Sequence, residues 1–473
     1  MHSQLVVLGG GPGGYAAAFL AADLGFDVTI VELESRLGGV CLLRGCIPSK
    51  ALLHVAKVIH ESRDLTEWGV QLGTPTIDVN QMRERKEKVI TTLTKGLAQL
   101  AKRRKVRLIQ ARGTLESSQL MRLTDGDPKT YAEGDQLTFD HLILATGSSP
   151  AMPSLFDIGS ERVMDSTGAL DLPELPKSLL VVGGGYIGLE MGTVYAELGS
   201  DVTVVEMLDG LLPGADRDLV KPLAKRLDAL FANIYLKTRV TALIDHGDQV
   251  EVIYDGEKIG SEKFDRILVA VGRRPNSRGL GLENTKVQVD KKGFVVTDRT
   301  QRTADPHIMA IGDVAGEPML AHKASHQGKI AVEVLAGEPA EFDKLAIPAV
   351  VFTDPEIAWA GLTEEQAKRE GIEYEVAQYP WAASGRAQAV GATAGLTKLL
   401  IEPETDRVIG AGLVGSGAGE LIGETVLAIE MGCTARDMAE SIHPHPTLSE
   451  TVSFAGEVQL GVATEVYRPK RKK

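Results

Sequence analysis

One stretch of this chain is written twice. LVVLGGGPGGYAAAFLAADLGFDVTIVE at 5–32 and LLVVGGGYIGLEMGTVYAELGSDVTVVE at 179–206 align without a gap, and self-similarity of that kind means one supersecondary unit used twice. Each copy opens with an apolar run suited to a strand buried on both faces. It then passes through a glycine turn into an Ala- and Leu-rich segment of helical length, and ends in a second β-branched strand closed by Glu. That order predicts a βαβ unit. The glycines fall at Gly9, Gly11 and Gly14, and again at Gly183, Gly185 and Gly188, where the chain must turn tightly, approach a pyrophosphate and pack helix on strand. Glu32 and Glu206 stand at the same offset from the middle glycine, placed to accept hydrogen bonds from a ribose. A lone GxGxxG is a weak signal. Two of them, each between strand and helix and each with its acid, predict two dinucleotide sites. A redox enzyme that passes electrons between two carriers needs both bound at once, which makes FAD and a nicotinamide the expected pair. Glu206 repels a 2′-phosphate and Met207, Leu208 and Asp209 offer no Arg to receive one, so the nicotinamide is expected to be NAD rather than NADP.

The 473 residues, 43% of them hydrophobic, are enough for several domains with large cores. Turn-rich segments at 147–153 and 272–279 follow apolar strands and mark the second βαβ unit as an insertion. The division expected is a dinucleotide-binding domain over 1–148, a second over 149–276, a return to the first over 277–345, and an α+β domain over 346–473. The fold class is therefore α/β with two Rossmann-like domains and a C-terminal α+β domain. The start shows no charged region or cleavage site of an export signal, and every apolar stretch is interrupted before it spans a membrane. A cytoplasmic protein with no membrane partner is expected. A net charge of −13 argues against nucleic acid as a partner, which requires clustered Lys and Arg. The one dense basic run, RPKRKK at the C-terminus, reads as a solvated tail.

Three cysteines in such a length are no disulfide scaffold, so a close pair must be explained by redox or metal chemistry. Cys41 and Cys46 are that pair. In an ideal helix, residues five apart have Cα atoms about 8.7 Å apart, too far for a disulfide, whose Cα atoms lie about 5.5 Å apart. Either the thiols stay apart or the segment is distorted and holds a labile, reducible bridge. Pro48 and the glycines at 38, 39 and 45 favour distortion. Metal binding lacks a third and fourth Cys or His nearby, so no metal site is expected. A helix start and Lys50 would both stabilise a thiolate. Cys433 reads as a packing residue.

The chain resembles the pyridine nucleotide-disulfide oxidoreductases over essentially its whole length, on GGGPGGY, GGVCLLRGCIPSK, LILATGS, GGGYIGLE, VGRRPN, AIGDVAGEPMLAHKA and HPHPTLSE. Within that family it is most similar to the branch that oxidises dihydrolipoyl thiols. The resemblance implies that Cys41 is the interchange thiol that exchanges with the substrate and that Cys46 lies next to the flavin, with Lys50 near the flavin edge and Glu190 as its partner. It places Gly113, Thr146, Gly147, Ser148, Asp313, Met319, Leu320, Ala321 and His322 around FAD, and Tyr186, Ile187, Glu190, Val240 and Gly272 beside NAD. It also implies a homodimer, the C-terminal domain as the dimerisation domain, and lipoyl domains of 2-oxo acid dehydrogenase complexes or of the glycine cleavage system as partners.

HPHPTLSE supplies a base. His443 and His445 are equivalent by spacing, and the resemblance picks His445, with Glu450 orienting the imidazole. Thr447 to Glu450 also spells a capping box, in which Glu450 serves the helix terminus. Among rivals, a glutathione-type reductase should carry Arg just after the second module, and a mercuric reductase an extra cysteine pair near its C-terminus. Both signatures are missing from the sequence. A non-catalytic flavoprotein scaffold is disfavoured by the intact Cys41, Cys46, His445 and Glu450.

Overall fold

The computed structural model describes residues 1–132 and 134–467, so the basic run from Arg468 onward lies outside the described residues. The first copy of the repeat folds as strand His2–Leu8, helix Pro12–Asp23 and strand Val28–Glu32, the two strands pairing in parallel. The apolar runs explain this: Leu5, Val6, Val7, Ile30 and Val31 are fully buried, as central parallel strands covered on both faces require. Arg107–Gln110 extends the sheet beyond Val28–Glu32, and Gln136–Leu144 lies on the other side of His2–Leu8. Gln136–Leu144 divides its remaining edge between an antiparallel hairpin, Arg112–Ser117 with Leu120–Thr124, and the parallel strand Ile308–Ala310. After that late strand, helix Ala321–Leu335 packs on helix Pro12–Asp23 at a distance only glycine allows. A Cβ on Gly328 would stand 2.7 Å from Gly13 O, and one on Gly13 would stand 3.0 Å from Ala324 O.

The second copy repeats the design with strand Ser178–Val182, helix Tyr186–Glu197 and strand Asp201–Val205 in a five-stranded parallel sheet. A three-stranded antiparallel sheet, Thr238–Asp245, Val250–Gly256 and Gly260–Phe264, packs its apolar face against this layer. The two turn-rich connections meet each other. Ser148–Pro150 and Arg273–Pro275 form an antiparallel pair, so both chain crossings between the sheets lie side by side. The C-terminal sheet is antiparallel throughout, in the order Ala349–Val351, Glu356–Gly361, Val408–Gly415, Leu396–Ile401, Glu375–Pro380, and carries helices Ala418–Met431 and Glu450–Leu460. The α/β reading with an α+β C-terminal unit stands.

One expectation needs correction. The helical run Gly39–Asp64 reaches a mean hydropathy of 1.2 and is long and apolar enough, by length and composition, to cross a membrane. Its apolar residues Leu52, Leu53, Ala56 and Ile59 are buried in one core cluster with Leu189, Met191 and Val194. The apolar face of that run is thus explained by packing against the helix Tyr186–Glu197, a role that hydropathy alone does not distinguish.

Candidate functional site

Both glycine turns are built identically. Gly9 and Gly183 hold φ of +111° and +107°, a region that only glycine enters without strain. A Cβ on Gly14 would lie 1.9 Å from Gly9 O, and one on Gly188 would lie 2.2 Å from Gly183 O. The acids close the turns. Glu32 accepts from Gly10 N at 2.6 Å and from Glu34 N at 2.9 Å, and Glu206 accepts from Gly184 N at 2.7 Å and from Leu208 N at 2.8 Å. Each carboxylate oxygen keeps a second lone pair, so tying the turn leaves it able to accept from a ribose hydroxyl.

A cleft of about 770 Å³ runs from the first turn to the cysteine pair. Its walls include Gly9, Gly11, Glu32, Gly113, Thr146, Gly147, Ser148, Asp313, Met319 and Ala321, together with Cys41, Cys46, Lys50, Tyr186, Ile187 and Glu190. Gly14, Gly183, Gly185, Gly188, Glu206 and Gly272 stand outside that wall. Gly185 and Gly272 have open space where a Cβ would be. Leu320 caps the helix that follows it, and His322 turns away to place Nε2 2.8 Å from Pro348 O. The Val240 side chain is buried in the core beneath the antiparallel sheet, which leaves only its backbone to face a ligand.

The cysteine segment is distorted at one residue. Helix Gly39–Arg44 stops and helix Cys46–Asp64 starts at Gly45, whose φ and ψ are −148° and −115°. A Cβ there would stand 2.8 Å from Val40 O and 3.3 Å from the Cys41 Cα. The break draws the two sulfurs together, and the free thiols share a hydrogen bond. That bond pushes Cys41 well above the ordinary thiol range, with burial adding to it. The same bond brings Cys46 down to about 7, aided by Lys50 and opposed by burial. Cys46 is also the first residue of its helix, where the backbone dipole favours an anion.

Lys50 follows Cys46 by one turn and meets Glu190, on the helix of the second module, at 2.8 and 3.1 Å. Glu190 is 3% exposed and also accepts from Phe352 N at 3.0 Å, while the Lys50 ammonium lies 4.4 Å from the Phe352 ring centroid. The helix that carries Cys46, the helix of the second module and the start of the C-terminal unit thus meet at Lys50. Sequence reasoning assigned no role to Arg273, Asn276 or Lys323. Ser148 donates to Asp313 at 2.6 Å and accepts from Arg273 Nε at 2.8 Å, and Asn276 Nδ2 donates to Thr146 O at 3.0 Å. Buried Lys323 donates to Gly316 O, in the loop that carries Asp313, and burial pulls it down to about 8. Arg273 and Asn276 sit in VGRRPN, so the motif was visible but the roles within it were not.

The two histidines differ sharply. His443 has only 9% of its side chain exposed, with Nε2 2.7 Å from Glu424 and Nδ1 2.8 Å from Ser441 O. His445 is 78% exposed and bonds Glu450 through Nδ1 at 2.8 Å, which leaves Nε2 facing outward. Glu450 also ties the turn, since its other oxygen accepts from Thr447 N at 2.8 Å, but the expected capping box is not formed, because the helix starts at Glu450 with Ser449 as its N-cap and no side-chain cap bond. Neither His445 nor Glu450 lines the cleft of its own chain.

Residues 3–328 match the pyridine nucleotide-disulphide oxidoreductase family, and residues 347–455 match that family's dimerisation domain. The chain belongs to the pyridine nucleotide-disulphide oxidoreductases. Among curated relatives, it is 50% identical to a dihydrolipoyl dehydrogenase of Vibrio cholerae, covering 100% of this chain and 99% of that one. It is 44% identical to a dihydrolipoyl dehydrogenase of Bacillus subtilis, over 98% of this chain and 97% of that one. Among solved structures, LpdA of Mycobacterium tuberculosis superimposes with a TM-score of 0.89 at 28% identity, over 96% of this chain and 99% of that one. The HOCl-induced flavoprotein disulfide reductase RclA of Escherichia coli, solved as a Cu(II) complex, gives 0.86 at 28% identity, over 97% and 99%. The family and these relatives make the chain an FAD-dependent oxidoreductase that uses NAD, and the dimerisation domain supports a homodimer.

Proposed function

We propose that the chain is a dihydrolipoyl dehydrogenase, which oxidises protein-bound dihydrolipoyl groups and reduces NAD as a soluble cytoplasmic homodimer. The single observation that carries this reading is the cysteine pair, drawn together at Gly45 and opening on the cleft beside the Lys50–Glu190 pair. The glycine cradles fit the two dinucleotides, since Gly14 and Gly188 leave no room for a Cβ while Gly185 and Gly272 face open space. On this reading the first turn, Glu32, Gly113, the segments 146–148 and 319–322, and Asp313 hold FAD. The second turn, Tyr186, Ile187, Glu206, Gly272 and the Val240 backbone hold NAD. The working domain map is 1–148 with 277–345, 149–276, and 346–473.

His445 Nε2 takes a proton from the substrate dithiol, and Glu450 fixes the tautomer through Nδ1 and stabilises the imidazolium. The substrate thiolate attacks Cys41 of the oxidised pair, so a mixed disulfide forms and the electron pair of the broken S–S bond goes to Cys46. The second substrate thiolate then displaces Cys41, closing the lipoyl disulfide. Cys46 is suited to hold the charge because Cys41, Lys50 and its helix start all favour a thiolate. FAD, held by the residues named above, would supply a two-electron acceptor for the thiols and a hydride donor for NAD. His445 lies outside its own chain's cleft and faces outward, so the base is expected to act on the partner subunit's thiols. Lipoyl domains of 2-oxo acid dehydrogenase complexes are the proposed donors. Turnover of dihydrolipoamide with NAD and with NADP tests the reading. Fast NAD reduction with little NADP reduction is expected, and a flavin-loaded protein inert to dihydrolipoamide would refute it.

A further inference from the structure

We infer that Trp381, Thr397 and Thr451 form a buried, one-way hydrogen-bond relay that holds the His445–Glu450 dyad in position. The inference rests on the reading of His445 as the base and adds three positioning residues to it. Trp381 Nε1 donates to Thr397 Oγ1 at 2.9 Å, Thr397 Oγ1 lies 2.8 Å from Thr451 Oγ1, and Thr451 Oγ1 donates to Leu448 O at 2.7 Å. An indole N–H only donates and a carbonyl oxygen only accepts. Both hydroxyl protons therefore point the same way along the chain, and each hydroxyl donates once and accepts once. All three side chains have 0% exposure, so no water competes, the links polarise one another, and a broken link leaves a buried polar atom unpaired.

The sheet end of the relay is clamped. A Cβ on Gly395 would stand 2.4 Å from Trp381 Cδ2, and one on Gly415 would stand 2.2 Å from its Cζ3. The indole thus occupies space that two glycines leave open, and Trp381 N donates to Gly395 O at 2.9 Å. The other end lies inside the turn that carries the dyad. Leu448 stands between His445 and Glu450, and Thr451 directly follows Glu450 on the helix Glu450–Leu460. Glu450 then holds Thr447 N and His445 Nδ1, both at 2.8 Å. Within its own chain Glu450 is the side chain that holds the His445 ring, so the ring's direction follows from where Glu450 stands, and Glu450 stands where the turn is pinned.

Thr397→Val keeps the shape and removes the hydroxyl, and Thr397→Ser restores it. On the FAD-loaded full-length protein two rates are read: dihydrolipoamide oxidation by NAD, and NADH oxidation by ferricyanide, which draws electrons from the flavin with no substrate thiol to deprotonate. Thr397→Val is expected to lower kcat for dihydrolipoamide by about ten- to a hundredfold, the scale of an ångström's misplacement at a reacting group. Ferricyanide reduction and the KM for NADH should be unchanged, with recovery in Thr397→Ser and loss in the same direction in Trp381→Phe. Equal loss in both reactions, no recovery with Ser, or undiminished dihydrolipoamide turnover in Thr397→Val overturns the relay. His445→Gln separates the two readings. If it retains dihydrolipoamide turnover, His445 is not the base, whereas if it loses turnover while Thr397→Val does not, the relay alone falls.

Discussion

Replacing Lys50 by Met removes an ammonium one helical turn from Cys46 while keeping the length of the side chain. Residues four apart on a helix have Cβ atoms about 5–6 Å apart, and two unit charges at about 6 Å attract by about 3 kcal/mol at an effective dielectric constant near 20. Lys50 is 30% exposed and shared with Glu190, so solvent screening and the counter-charge cut this by about half, leaving about 1.4 kcal/mol, or a tenfold change in the thiolate equilibrium. The sign is fixed by charge: an ammonium favours the anionic sulfur, so its loss raises Cys46 from about 7. Glu190 remains in the variant and repels a thiolate, pushing the same way. Glu190→Gln alone is expected to lower the Cys46 midpoint, and Lys50→Met/Glu190→Gln to come back close to the parent. The assay is the rate of Cys46 alkylation by iodoacetamide in the reduced protein, followed by peptide mass spectrometry from about pH 5 to pH 9, either side of the expected thiolate range. A Lys50→Met midpoint that is unchanged or lower would refute the assignment of Lys50 to the thiolate, as would a double variant no nearer the parent than the single one.

Three further outcomes are expected. Gly188→Ala, whose Cβ meets backbone at 2.2 Å, should lower the melting temperature, whereas Gly185→Ala, with open space, should leave melting unchanged and raise the KM for NAD. Equal melting of the two in differential scanning calorimetry would contradict the packing argument. His445→Gln should cost about 10²–10⁴-fold in dihydrolipoamide turnover, the range of a general base, while His443→Gln should act mainly on stability through its contact with Glu424; steady-state kinetics with thermal melts distinguishes them. Lys398, fully buried, holds Asp216, Asp218 and Glu364 at 2.7, 2.7 and 3.0 Å, so Lys398→Met should cost about 3–5 kcal/mol at neutral pH. Burial alone would raise the Glu364 carboxyl, but its bond to Lys398 brings it below the usual range. Its stabilisation is therefore complete above about pH 4.3, the unfolded value, and lost as pH falls through the lower folded value. The deficit of Lys398→Met in denaturant melts should shrink as the carboxylates take up protons in acid, and a deficit that grows there would count against the cluster.

The parts legible in the sequence are those whose physics is local. A glycine turn depends on φ and on room for a Cβ within a few residues, and a buried parallel strand declares itself by an unbroken apolar run. Two such units sufficed for α/β layers and two dinucleotide cofactors. Gly45 was legible only as one of four residues, with Gly38, Gly39 and Pro48, that favour distortion, and spacing left open whether the sulfurs would meet. Lys50 was legible as a cation beside the thiols, but its pairing with Glu190 came from resemblance alone, because nothing at either position announces a partner on another domain's helix. His443 and His445 have the same local chemistry, each followed by proline, and only burial against Glu424 on a different helix separates the pinned ring from the outward one. Glu32 and Glu206 show a subtler limit, since their spacing announced a ribose acceptor but not that each carboxylate already ties its own glycine turn. Trp381, Thr397 and Thr451 carry no motif, and the cluster around Lys398 joins residues from separate stretches of the chain. The repeated turn, the strands and the close spacing of the two cysteines are local properties, because they follow from conformational freedom and burial along a short segment. Tertiary structure decided which histidine faces out, what holds it and which charges are paired, because those depend on contacts that close only when distant elements pack.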